Sequence, residues 1–122
     1  MGLDMYVNAV TNRPAVEVDF TVNDVEAELH YWRKHPNLHG WMERLYLSKG
    51  GTHPEFNGTT VLLTPVDIDL LEIAITKKQL PETDGFFFGA SDGTEITDDL
   101  AFITKARAAF ANGLFIYYCS SW

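Results

Sequence analysis

The segment Leu114 to Cys119 constrains this chain more than any other, because all six of its residues are apolar or aromatic and both alternating faces therefore need covering. A strand of that kind belongs inside a sheet rather than at its edge. Its register would pack Leu114, Ile116 and Tyr118 against one layer and Phe115 and Tyr117 against another. The chain is therefore expected to end inside its own sheet, and the residues before it must supply the flanking strands and the cover.

Leu3, Met5, Val7 and Ala9 alternate with Asp4, Tyr6 and Asn8, the period of two expected of a half-buried strand. Val16, Val18, Phe20 and Val22 alternate in the same way, as do Val25, Ala27, Leu29 and Tyr31. Asn23 and Asp24 lie between these two runs, and both tolerate the positive φ of a two-residue turn, so a hairpin is expected there. The competing reading is a helix opened by a capping box from Asn23 to Glu26, with Val25, Leu29 and Trp32 on one face.

Pro36 suits a first helical position, and Leu38, Trp41, Met42 and Leu45 follow at helical spacing, which predicts a helix from Pro36 to Leu47 ended by Gly50 and Gly51. Residues 53–58 read as a loop and Val61 to Leu63 as a short strand. Thr64, Pro65 and Asp67 combine a capping hydroxyl, a pre-set φ and a carboxylate at the positive end of a helix dipole. The helix they open carries Leu70, Leu71, Ala74 and Ile75 as its buried stripe and stops at Leu80 and Pro81. Asp84 and Gly85 turn the chain into an aromatic strand, Phe86 to Phe88, closed by Gly89. Thr97, Asp98 and Asp99 start a third helix with Leu100, Ile103, Ala106 and Phe110 on one face, and Asn112 and Gly113 cap it. The expected fold is one α+β domain spanning residues 1–122, a mainly antiparallel sheet with about three helices packed on it.

With 122 residues, 46% of them hydrophobic, the chain can bury one core, which excludes two full domains and a disordered chain. Seventeen acidic against nine basic side chains give a net charge of −8, which disfavours a nucleic-acid partner bound through its phosphates. Cys119 is the single cysteine, so no intrachain disulfide forms and a reducing, cytoplasmic setting is expected. No run approaches the roughly 20 apolar residues of a membrane span, and the first residues lack the pattern of a secretory signal. Gly2 does not suggest myristoylation, because Tyr6 stands where that signal needs Ser or Thr.

Four stretches together carry a resemblance: Met1-Gly2-Leu3-Asp4-Met5-Tyr6, Tyr31-Trp32-Arg33-Lys34 with His39 and Trp41, Gly85-Phe86-Phe87-Phe88-Gly89, and Tyr117-Tyr118-Cys119-Ser120-Ser121-Trp122. Over its whole length the chain resembles small proteins of bacteriophages and prophages that open and close with these sequences. Some of those proteins carry the label phosphoglycerate kinase, which is a far larger two-domain enzyme, and no Gly-rich loop with Lys is present here to cradle phosphates. His35-Pro36 departs from the family, whose members typically have Ala after Tyr-Trp-Arg-Lys. Cys119 stands where a polar residue is more frequent. The resemblance implies a phage source, in the cytoplasm of the host, and transfers no catalytic residue.

Several constellations of side chains bear on chemistry. His30, His35, His39 and His53 include an i, i+4 pair, but Pro36 makes His35 a cap rather than a helical ligand, so no metal site is assigned. Tyr31, Trp32, Arg33 and Lys34 set two aromatics beside two cations where a strand ends. Arg33 would grip a carboxylate or phosphate bidentately while Trp32 stacks on a planar ligand. The structural alternative has Tyr31 in the buried stripe and Arg33 paired with Glu28 or Asp4. Cys119, His39 and Asp4 would form a nucleophile, base and orienting acid if they met, although a cysteine on a covered strand is usually inert. Glu17, Asp19, Glu26 and Glu28 would line the polar face of the hairpin as a strip that imitates DNA phosphates. Trp122 is expected to dock rather than stay free.

The reading adopted is a non-catalytic accessory protein, without cofactor, that binds a host protein or a small anionic ligand through Tyr31, Trp32, Arg33, Lys34, His39 and Trp41. A homo-oligomer is compatible with it. The alternative is a small enzyme for an anionic or phosphorylated metabolite, with Arg33 as clamp and His39 as general acid or base.

Overall fold

The computed structural model describes residues 2–85 and 88–122. Its elements are β1 (Asp4–Val10), β2 (Ala27–Arg33), α1 (Pro36–Ser48), β3 (Thr60–Leu63), α2 (Pro65–Thr76), α3 (Ile96–Ala111) and β4 (Phe115–Ser121). The four strands form one antiparallel sheet in the order β2-β1-β4-β3. The two ends of the chain thus lie side by side at its centre: Asp4 is opposite Ser121 and Val10 opposite Phe115. The expected α+β domain with three helices is what the chain forms.

One face of the sheet carries Met5, Val7 and Ala9 of β1, Trp32 of β2, Val61 and Leu63 of β3, and Ile116 and Tyr118 of β4, all buried. Leu38, Met42 and Tyr46 of α1, Ile68, Leu71 and Ile75 of α2, and Phe102, Ile103 and Ala106 of α3 join them in one core. Burial of a large apolar side chain typically contributes about 1.5–3 kcal/mol, so this layer of contacts is the main source of stability. α2 begins as its sequence predicts: the Thr64 hydroxyl accepts from the Asp67 N–H while the Asp67 carboxylate accepts from the Thr64 N–H. Pro36 opens α1, and Gly113, at φ 76°, takes the left-handed turn after α3.

Three expectations fail. No hairpin turns at Asn23 and Asp24, and no helix opens there either; residues 11–26 form a long connection, and β2 pairs with β1 instead. The reason is sidedness. Because side chains alternate along a strand, the inward set of β2 is His30 and Trp32, leaving Tyr31 on the outer face, while Leu29 sits at the register shift opposite Val7 and Asn8 and is partly buried against the core. The polar atoms of that inward pair find partners on α3, so the visibly apolar alternation was the wrong face. Residues 17–20 instead run along the open edge of β3. There the Leu62 N–H donates to the Glu17 carbonyl, the Asp19 N–H donates to that of Thr60, and Phe20 packs edge-on against Tyr117.

The second failure is Leu70, which is exposed; Ile68 takes its place in the stripe, and α2 ends at Thr76, before Leu80. Of the expected aromatic strand, Phe86 and Phe87 lie outside the described residues; Phe88 lies in a turn, its N–H donating to the Gly85 carbonyl. The third failure is the acidic strip, since Asp19 accepts from the Tyr46 hydroxyl and Glu17 lies 3.8 Å from Lys49 Nζ.

Candidate functional site

The six residues expected to form one binding surface occupy different places. Trp32 is 4% exposed and His39 2%, so neither offers a face to a ligand at the surface. Tyr31 and Arg33 point from the outer face of the sheet and converge on Asp4, whose Oδ1 accepts from the Tyr31 hydroxyl at 2.6 Å and from Arg33 Nη1 at 2.9 Å. The Tyr31 bond, reinforced by Arg33, holds the Asp4 carboxyl below its usual range. Lys34 takes a left-handed φ of 56° and covers Gly89, and Trp41 is half-buried against the core. The aromatic and basic cluster is therefore split between the two faces of the sheet.

His39 sits in the core with Nδ1 2.6 Å from the Tyr118 hydroxyl, and burial draws its pKa down to about 4. Cys119 faces the other way, opposite Tyr6 on β1 and Thr60 on β3, and burial raises its pKa. A nucleophile and base from this pair is thereby excluded by geometry. His30 and His35 turn to α3, and His53 lies in an exposed loop, so the four imidazoles do not converge. Among the described residues no group of three or more His, Cys, Asp or Glu side chains is placed to hold a metal.

A different cluster is assembled where the start of α1 meets the start of α3. Asp99, 1% exposed, accepts from Trp32 Nε1 at 3.0 Å and lies 2.9 Å from His35 Nε2. His35 Nδ1 is 2.7 Å from Ser91 Oγ, and Ser91 Oγ in turn accepts from the Asn37 N–H at 3.1 Å. With Nε2–H donated to the carboxylate, Nδ1 accepts from the serine hydroxyl, so one tautomer satisfies the whole chain. Ser91 thus caps α1 from a loop distant in sequence, a task that its own N-cap residue, His35, does not perform.

This cluster walls a recess of about 490 Å³, closed elsewhere by Ile75, Leu80 and Ile96 and edged by Lys78 and Thr94. Glu95 lies in the same wall. Its Oε1 accepts from the Asp92 N–H at 3.0 Å, while its Oε2 is shielded from solvent and has no hydrogen-bond partner among the described residues. A second recess of about 330 Å³ shares Asn37 and Ser91 with the first, and a third of about 230 Å³ shares Thr83 and Asp84 with the second. The three follow one another along residues 82–85 and 88–95.

Sequence reasoning missed Ser91, Glu95 and Asp99 as partners. Asp99 looked like an acidic first-turn residue, and the only signal against that reading was the unusual His35-Pro36 at the end of β2. Trp122 does dock: its Nε1 donates to the Phe56 carbonyl, and its backbone exchanges two bonds with the Asn57 amide. Compared with protein-family models, curated proteins and solved structures, the chain shows no match.

Proposed function

We propose that the chain is a non-catalytic accessory protein, of phage origin as its resemblance implies, that holds a small donor-bearing ligand in the recess between α1 and α3. The observation that supports this most is Glu95 Oε2, a shielded carboxylate oxygen without a partner among the described residues. Leaving such an atom unsatisfied typically costs about 1–3 kcal/mol, and a ligand amine or guanidine recovers it. Ile75, Leu80 and Ile96 supply the apolar wall that a small-molecule site needs. An anionic ligand suits this recess less well, since Asp92, Glu95 and Asp99 line it and Lys78 is the only Lys or Arg among its described lining residues. The Arg33 clamp is already engaged by Asp4.

The test is a thermal-shift screen of matched amines, guanidines, alcohols and carboxylates. Amines or guanidines should raise the midpoint of the native protein and leave Glu95→Gln unmoved. Stabilisation by carboxylates alone would overturn the reading.

The enzyme reading keeps one observation in its favour, the Ser91–His35–Asp99 chain, which has the contacts of an activated nucleophile. Against it, the N–H groups that would bind a developing oxyanion are engaged: that of Asp92 donates to Glu95 and that of Thr94 to Asp92. Labelling of Ser91 by a fluorophosphonate, abolished in His35→Ala, would favour the enzyme.

A further inference from the structure

α2 is apolar on both sides. Its inner face gives Ile68, Leu71 and Ile75 to the core, while its outer ridge carries Val66, Leu70 and Ile73, which are 65%, 53% and 46% exposed. A surface helix ordinarily turns polar residues outward, and one that is hydrophobic all round is ordinarily covered all round. The three exposed side chains follow at i, i+4 and i+7, so they form one continuous stripe rather than scattered contacts with solvent. Leu70, which the sequence places among the buried residues, is its centre. None of the three lines a recess described above. Small molecules favour concave sites, whereas a convex ridge fits the surface of another protein.

We infer that this ridge is the interface of a symmetric dimer, in which α2 of one copy packs antiparallel on α2 of a second copy of this chain. Charge along the stripe singles out a second copy. Asp69 stands beside Val66 and Leu70 at its start, and Lys77 follows Ile73 at its end, both exposed. When two copies run antiparallel with Leu70 of each set against Ile73 of the other, Lys77 falls opposite Val66, one turn from Asp69 and within reach of its carboxylate. Two-fold symmetry makes that contact twice, whereas parallel packing would bring like charges together. Asp69 has capacity for it: Arg107 of α3 bonds to Oδ1, and the Asp69 side chain remains 66% exposed. Arg107, Asp69 and Glu72 border the stripe on the side of α3, giving the polar rim around an apolar centre that protein interfaces show. Ile75 and Lys78, the residues of α2 that line the recess at Glu95, lie outside the stripe, so the dimer goes beyond the function proposed for that recess and does not depend on it.

Sedimentation equilibrium of the full-length protein tests the inference. The native chain should approach twice the mass of one copy as its concentration rises. Leu70→Asp should weaken association at least about tenfold, as expected of a charge placed at the centre of an interface, and leave the far-UV circular dichroism unchanged. If that variant fails to fold, Val66→Ser combined with Ile73→Ser takes its place. Charge reads out the orientation and the partner. Lys77→Glu and Asp69→Lys should each weaken self-association at least about threefold, because each sets like charges opposite one another twice. An equimolar mixture of the two should assemble again, since both contacts between unlike chains then join opposite charges. A native chain that stays monomeric up to about 1 mM, a dimer that Leu70→Asp leaves intact, or a mixture no tighter than the separate variants would overturn the inference. So would a monomer held through Leu70 on vesicles of phosphatidylcholine and phosphatidylglycerol, which would give the ridge to a membrane surface.

Discussion

Trp32 Nε1 donates to Asp99 Oδ1 across 3.0 Å, and this buried bond, beside the contact of His30 with Asp98, ties the edge strand β2 to the first turn of α3. Trp32 also meets Phe102 edge-on at 4.9 Å, so the indole is held both by packing and by its polar atom. Trp32→Phe keeps the packing and removes the donor. It should cost about 1–3 kcal/mol in urea denaturation, because a buried carboxylate oxygen loses one of its partners. A variant as stable as the native protein would show that Asp99 needs only His35.

His39 makes stability depend on pH in a defined direction. Its folded pKa of about 4 lies below the 6.5 of an unperturbed imidazole, so between these values the unfolded chain binds the extra proton. Stability from this group is therefore fully present above pH 6.5 and falls as pH drops towards 4, by about 3 kcal/mol in all for a shift of this size. His39→Gln, which does not titrate, should flatten that part of the profile. Identical slopes in the two proteins would exclude the assignment.

Gly40 lies within α1 with the Thr83 side chain packed against it, so closely that an added Cβ overlaps the Thr83 side chain. Gly40→Ala should push Thr83 away and cost about 1–3 kcal/mol despite alanine's better helix propensity. Thr83→Gly should recover part of the loss. A more stable single variant would mean that Thr83 shifts freely.

Arg33→Ala removes an ion pair that stands in solvent on the outer face of the sheet, with Arg33 about half exposed. The thermal midpoint should stay where it is, since exposed pairs add little. Unfolding of this variant would show instead that the Asp4, Tyr31 and Arg33 group supports the β1–β2 pairing.

Deleting residues 116–122 removes the strand that joins β1 to β3. Cooperative unfolding should disappear. A truncated chain with an unchanged midpoint would contradict the sheet order.

The three helices and the covered last strand were legible because their signals are local. Pro36, the Thr64–Asp67 box and Gly113 each act within a few residues of the element that they delimit. The orientation of β2 was not, because His30 and Trp32 become inward residues only through Asp98, Lys105 and Asp99, partners supplied by a helix that comes much later in the chain. Residues 16–22 misled for a related reason: their alternation is real, but both edges of β1 are taken by β2 and β4, which leaves them the rim of β3. Ser91 could not be recognised at all, since a hydroxyl that caps a helix from a remote loop leaves no mark at the helix itself.

The central pairing of β1 with β4 has a kinetic consequence. Asn8 and Tyr117, bonded side chain to side chain at 3.2 Å, are 109 positions apart, so the sheet closes only when distant parts of the polymer find each other. The entropy lost in closing so long a loop must be spent before the core contacts reward it, which places the barrier at that encounter. Helical segments can flicker into being earlier, but they have no floor to settle on until the first and last strands clasp. The molecule is thus a buckle fastened late, and substitutions along that seam should slow refolding more than they hasten unfolding.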